Sequence, residues 1–169
     1  SKYFDIDIII TDVTSKYQCD PIEYEKYISN KTMMLVVSAP SYPYGIIDDI
    51  EPISELAERY NIWLHVDACL GGFVLPWLND IGYEIPKFNF ELNGVTSISC
   101  DTHKYGFASK GTSVILYRSP LYRKYQFFCW SEWRGGLFSS PSITGSRPGG
   151  LIAVAWASIV KFGKKGFLE

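Results

Sequence analysis

Asp67 and Lys104 are the two residues of this 169-residue chain whose types and places suit chemistry. Each follows an apolar run, Asp67 after Leu64-His65-Val66 and Lys104 after the segment Val95–Cys100. Groups beyond the carboxyl ends of parallel strands line the crevice in which open α/β sheets bind ligands. The two residues are 37 positions apart, a length that suits one crossover to a neighbouring strand. A carboxylate and an amine are therefore expected to face one crevice. Alone, an Asp at a strand end caps a turn and a Lys in a loop is solvated. Together they set a fixed negative charge beside a nucleophile. The amine has an ordinary pKa of about 10.4, which burial against other cations would lower toward reactivity.

The elements that must position this pair can be read from the pattern. Ile6–Ile10 reads as a short strand. Asp20-Pro21-Ile22-Glu23 reads as a helix start, with an N-cap, Pro at the first helical position and an acid behind it, and the helix runs to about Ser29. Thr32–Val37 is a continuous apolar run, suited to a strand covered on both faces, and it ends in the proline-rich loop Ser38–Gly45. Ile50, Ile53, Leu56, Ala57 and Tyr60 recur at helical spacing. Trp63–Asp67, Val95–Cys100 and Ser113–Tyr117 are further strands, Trp130–Gly150 is a loop rich in Gly, Ser and Pro, and Gly149–Phe162 is an apolar helix. This alternation predicts an α/β fold, a mostly parallel sheet with flanking helices. His65 should share the face of Asp67, either bonded to that carboxylate or satisfied within the core.

Composition narrows the function classes. Hydrophobic residues make up 47% and charged residues 20%, which excludes disorder. A net charge of -2 gives no electrostatic footprint for nucleic acid. The longest uncharged stretch, Pro148–Val160, is shorter than the ~20 apolar residues of a membrane span. Cys19, Cys69, Cys100 and Cys129 lie 50, 31 and 29 apart, with no metal-ligand spacing. The opening Ser1-Lys2-Tyr3-Phe4-Asp5 carries neither Met nor targeting signal, and an internal fragment is expected.

One class of cofactor uses both of the opening residues. Pyridoxal 5′-phosphate is held by a lysine through a Schiff base while a carboxylate pairs with its pyridine nitrogen. The segments His65-Val66-Asp67-Ala68-Cys69-Leu70-Gly71-Gly72-Phe73 and Asp101-Thr102-His103-Lys104-Tyr105-Gly106 resemble the cofactor segments of the group II decarboxylase family of pyridoxal phosphate-dependent enzymes. Ser38–Ile50 and Thr144–Gly150 resemble one branch of it, the carbon–carbon lyases that cleave phosphorylated sphingoid bases. The similarity runs over residues 3–162, with four motifs in the family's order.

The resemblance implies a fold type I pyridoxal phosphate enzyme, with an aspartate aminotransferase-like large domain. Residues 1–169 would be its central part, without the N-terminal part and the small C-terminal domain. Lys104 matches the Schiff-base lysine, Asp67 the partner of the pyridine nitrogen, and His103 a residue at the cofactor phosphate or near the ring. Cys69 matches a small residue against a ring face, usually Ala in the decarboxylases. Tyr105 is a candidate for proton transfer at the substrate hydroxyl, with a core tyrosine as the alternative. Gly145 and Ser146 match a loop that reaches the partner subunit's cofactor phosphate, or else a plain capping loop. Arg147 would hold a substrate anion or the subunit interface.

The implied partners are a phosphorylated sphingoid base and a second subunit, in a homodimer with its active site at the interface. No nucleic acid and no metal are implied. The implied location is the endoplasmic reticulum membrane, facing the cytosol, for a eukaryotic protein, and the cytoplasm for a bacterial one. Any membrane anchor lies outside this chain. Trp63 and Tyr60 are expected in the core, and the cluster Tyr122–Trp133 at a dimer interface or acyl-chain channel. A group II amino-acid decarboxylase acting on glutamate, tyrosine or another aromatic amino acid, and a non-catalytic homologue, are the alternatives.

Overall fold

The computed structural model of the chain describes residues 3–169. Asp20 caps helix α1 (Pro21–Tyr27), accepting from the Ile22 N–H at 2.9 Å, and Pro21 fills a position where no amide hydrogen is needed. Strand β1 (Met34–Ser38), helix α2 (Ile50–Tyr60) and strand β2 (Trp63–Asp67) form a parallel βαβ unit. Helix α2 stops where Asn61 turns left-handed at φ 53°. After the short helix α3 (Leu75–Leu78), strand β3 (Val95–Cys100) adds to β2 in parallel and β4 (Val114–Tyr117) adds to β3 antiparallel. The sheet order is β1-β2-β3-β4. Helix α4 (Pro120–Arg123), strands β5 (Phe128–Trp130) and β6 (Phe138–Ser140), and helix α5 (Gly149–Leu168) follow. A mostly parallel sheet with flanking helices is thus what the chain forms.

Side chains alternate across the sheet with period two. Leu35 and Val37 of β1 and Leu64 and Val66 of β2 are buried in one core with Ile50, Ile53, Leu56 and Ala57 of α2. The opposite face carries Val36, His65 and Ser97 in one row, and Ser38, Asp67 and Ser99 in the next. The chemistry-bearing residues therefore lie on the face turned away from α2.

Several expectations need correction. Ile6–Ile10 forms no strand; its backbone finds no ladder among the described residues, and Ile8 and Ile10 are exposed. Strand β1 is covered on one face only, since Met34 and Val36 are exposed. Within Trp130–Gly150 the chain is not all loop: β6 pairs antiparallel with β5, with Gly136 left-handed at φ 104° in the connection. Tyr60 is exposed rather than in the core, and its hydroxyl donates to Glu25 Oε1 at 2.8 Å. Trp63 is half-buried, edge-on to Tyr122 at 5.3 Å between ring centroids. The last helix, expected to end at Phe162, continues to Leu168, with Gly163 interrupting it just past that point at φ 54° and ψ −174°.

The accessible surface of the chain is 11846 Å². A folded monomer of its mass, 19.2 kDa, exposes roughly 8,400 Å². The surplus includes the open face of β1, the β5–β6 hairpin and the apolar side of α5.

Candidate active site

Asp67 ends β2, and its own carbonyl accepts from the Ala39 N–H at 2.8 Å, which fastens the loop after β1 to the loop after β2. Its carboxylate is used unevenly. Oδ1 accepts from the Cys69 N–H at 3.0 Å and from the Ser99 hydroxyl at 3.2 Å. Oδ2 accepts no hydrogen bond among the described residues. Burial pushes the Asp67 carboxyl up, but the Cys69 and Ser99 hydrogen bonds and the nearby His65 outweigh it and hold the group below its ordinary value. The loop beyond can close because a Cβ at Gly71 would stand 2.2 Å from the Ala39 carbonyl oxygen.

Ser97 and Ser99 come beside His65 and Asp67 through an irregularity. Leu64 pairs with Val95, yet His65 pairs with Ser97, so β3 spends one extra residue at Thr96. The buried Thr96 hydroxyl occupies that point, accepting from Leu64 N at 3.2 Å and donating to Leu64 O at 2.9 Å. Without the extra residue the opposite side chains of β3 would face the site. His65 makes no direct bond to Asp67. Its Nδ1 lies 2.8 Å from Ser97 Oγ and its Nε2 3.2 Å from Ser99 Oγ. Sequence reasoning missed both serines; two hydroxyls alternating within Val95-Thr96-Ser97-Ile98-Ser99-Cys100 were the available signal.

Lys104 sits on a tight turn after β3. The Ala108 N–H donates to Thr102 O at 2.9 Å and the Lys104 N–H to Asp101 O at 3.2 Å. Only glycine fits at 106, where a Cβ would lie 2.5 Å from Thr102 O. The ammonium Nζ is 2.8 Å from Asp101 Oδ2, and Ser113 Oγ donates to the other oxygen of Asp101 at 2.5 Å. The Asp101 hydrogen bond holds the Lys104 pKa above its ordinary value against the opposing effect of burial, and the charges of Asp101 and Asp67 act the same way as that bond. This corrects the expectation of an amine lowered by neighbouring cations: Lys104 faces carboxylates. The Asp101 N–H donates to Cys69 O at 3.2 Å and joins the two strand-end turns.

The other predicted residues divide. Cys69 belongs to the cluster, its thiol donating to Ser99 Oγ at 3.3 Å. His103 turns its Nδ1 to Thr112 O at 2.5 Å, with Nε2 3.7 Å from Asp101. Tyr105 is exposed, which removes the core alternative for it. The structure does not bring Gly145 and Ser146 into the cluster by any hydrogen bond among the described residues. Gly145 is left-handed at φ 67°, and its N–H donates to Ser142 O. Ser146 does not cap α5, whose N-cap is Pro148. Arg147 Nη2 donates to Gly111 O at 2.8 Å, tying this loop to the segment after Lys104. A cavity of about 460 Å³ lined by Phe88, Phe90, Ile98 and Cys100 touches none of the polar groups of the cluster.

The donor set fits pyridoxal phosphate. Asp67 is ionised with one oxygen unspent, and Lys104 brings a primary amine to the end of the adjacent strand.

Comparison with known proteins agrees with this chemistry. Residues 3–127 match the family described as the pyridoxal-dependent decarboxylase conserved domain. The chain is 52% identical over 169 residues to the sphingosine-1-phosphate lyase of Oryza sativa subsp. japonica, covering all of this chain and 31% of that protein. It is 45% identical, at a TM-score of 0.94, to the solved sphingosine-1-phosphate lyase of Burkholderia pseudomallei K96243, covering 99% of this chain and 38% of the other. Glutamate decarboxylase of Lactobacillus brevis is more distant, at 26% identity and a TM-score of 0.82 over 99% of this chain and 38% of that one. The chain spans about a third of the length of the curated relatives it matches. With three-quarters of its residues inside the family match and the acid and amine of that chemistry meeting at one sheet end, the chain belongs to the pyridoxal-dependent decarboxylase family.

Proposed function

We propose that the protein containing this chain is a pyridoxal phosphate-dependent carbon–carbon lyase. It cleaves phosphorylated sphingoid bases, such as sphingosine 1-phosphate, to a long-chain aldehyde and phosphoethanolamine. The observation that carries this reading is the meeting of Lys104 and Asp67 at neighbouring strand ends, in a chain half identical to lyases of that name. Residues 1–169 then form the central part of the large cofactor domain, and the N-terminal part and the small C-terminal domain lie outside them. Lys104 would hold the cofactor through its amine, and Asp67 would pair with its ring nitrogen. Cys69 borders the ring, His103 serves the phosphate side, and Gly145 and Ser146 serve the phosphate of a second subunit in a homodimer. The location is the endoplasmic reticulum membrane facing the cytosol for a eukaryotic protein and the cytoplasm for a bacterial one. No helix among the described residues is long and apolar enough to cross a membrane.

When bound, pyridoxal phosphate supplies an electron sink beside the substrate's amine carbon. The protein's own groups do the rest. Asp67, kept anionic by donors on Oδ1, holds a proton at the ring nitrogen through Oδ2. Asp101 keeps Lys104 Nζ charged and in place until the amine is needed; leaving that pair and losing one proton makes it a nucleophile. Tyr105 follows Lys104 in the chain and is exposed, and in this reading it assists the transfer of the substrate's 3-hydroxyl proton, its phenol passing on its own hydrogen as it accepts that one. That transfer lets the C2–C3 bond break, with the oxygen becoming the aldehyde and C2 taking up a proton.

The test is product analysis on the full-length enzyme. Long-chain aldehyde should appear without carbon dioxide. Lys104→Ala should abolish it, and Asp67→Ala should slow it roughly hundredfold or more. Carbon dioxide release from an amino acid, or turnover surviving in Lys104→Ala, overturns the reading.

A further inference from the structure

The hydrogen bonds around Ser99 admit one consistent set of donors. An ionised carboxylate only accepts, so the single hydroxyl hydrogen of Ser99 goes to Asp67 Oδ1. Ser99 Oγ is then an acceptor toward every other neighbour. His65 Nε2 must carry a hydrogen and give it to Ser99, and the Cys69 thiol gives its own. Burial pushes the His65 imidazole down against the opposing pull of Asp67, which leaves the ring neutral and its Nδ1 an acceptor for the Ser97 hydroxyl. Ser97, His65 and Ser99 thus form a file of donors that ends on the Asp67 carboxylate, each hydrogen pointing toward it. All four stand on one sheet face, brought into register by the extra residue Thr96.

The file has a steric consequence. Both donors to Asp67, the Cys69 N–H and the Ser99 hydroxyl, land on Oδ1. The carboxylate cannot rotate without losing both, and Oδ2 is left aimed away from them. We propose that Ser99 and His65 are positioning residues that fix Asp67 as a one-sided, ionised acceptor, so that Oδ2 alone is presented to the cofactor's ring nitrogen. This rests on the reading of Asp67 as the ring-nitrogen partner. His65 acts through Ser99: its hydrogen occupies the serine oxygen and leaves the serine hydrogen no acceptor but Asp67.

The experiment uses the full-length enzyme loaded with pyridoxal phosphate carrying nitrogen-15 in the ring. The nitrogen chemical shift reports ring protonation, which a merely structural role for Ser99 would not move. Ser99→Ala should shift the signal toward the unprotonated ring and weaken cofactor retention roughly tenfold, the scale of a lost hydrogen bond to a charged group. His65→Phe should move the signal the same way by less, and Ser99→Thr, which keeps the hydroxyl, should stay with the wild type. An unchanged signal in Ser99→Ala, or an equal displacement in Ser99→Thr, overturns the proposal. Should Ser99→Ala fail to fold, an unchanged signal in His65→Phe overturns it instead. Asp67→Ala separates the two levels. If it moves the signal while Ser99→Ala does not, only the positioning role fails; if it leaves the signal in place, the assignment of Asp67 itself fails.

Discussion

Cys69 lies beside the reacting groups, and its chemistry is set by its surroundings. Burial pushes its thiol up to about 12; the neighbouring Asp67 and Asp101 carboxylates add to this, and only the Ser99 hydrogen bond opposes it. The thiolate is the reactive form, so at pH 8 roughly one part in ten thousand of Cys69 can react. In cofactor-free full-length enzyme, iodoacetamide at pH 8 should leave Cys69 unmodified, and labelling should rise only as the pH nears the shifted value. Peptide mass spectrometry checks this, and rapid modification at pH 8 would contradict the donor role given to the thiol. At this scale Asp67 and Lys104 were legible in the sequence because their place at strand ends is a local property. Asp101 and Ser99 were not. An Asp three residues before a Lys pairs with it only if the turn closes, and a serine inside an apolar strand shows its partner only once the register is known.

Elements whose signals are local were equally legible. Asp20 and Pro21 start α1 by capping alone, and α2 shows its buried stripe at helical spacing. Elements that depend on a distant partner were not. Ile6–Ile10 has strand composition without a strand beside it, and β5–β6 hid in a loop-like composition because its pairing has no alternating polarity to announce it. The bulge at Thr96 is of the same kind, and it decides which face of β3 meets the site. Thr96→Val keeps the shape and removes the hydroxyl that serves both Leu64 N and Leu64 O. With two buried backbone groups losing that partner, the cost should be about 1–3 kcal/mol. Thermal unfolding of the full-length protein should register it, together with weaker cofactor retention as Ser99 loses its fixed place. An unchanged melting temperature would mean that the bulge is held by other contacts.

At the scale of the whole molecule, surface area says most. The chain exposes 11846 Å² where a folded monomer of its mass exposes roughly 8,400 Å². The surplus, about 3,400 Å², exceeds the ~800 Å² that one partner contributes to an ordinary interface, so a single docking contact does not account for it. Much of it is apolar. Val36 lies open on the site's own sheet face, Ile152 and Trp156 stand out from α5, and Phe128, Trp130, Trp133 and Phe138 line an open cavity of about 520 Å³ on the hairpin. Patches of this size mark surfaces that are covered in the working protein. Other parts of a longer polypeptide and a second subunit are the covers that the proposed lyase would provide. Expressed alone, the 169-residue chain should self-associate at micromolar concentration and enhance the fluorescence of an apolar dye, while the full-length protein should do neither. Sedimentation velocity and dye titration on the two proteins decide the matter. A stable, dye-silent monomer of the isolated chain would show that this surface tolerates water, and would withdraw the argument that the site is completed from outside the chain.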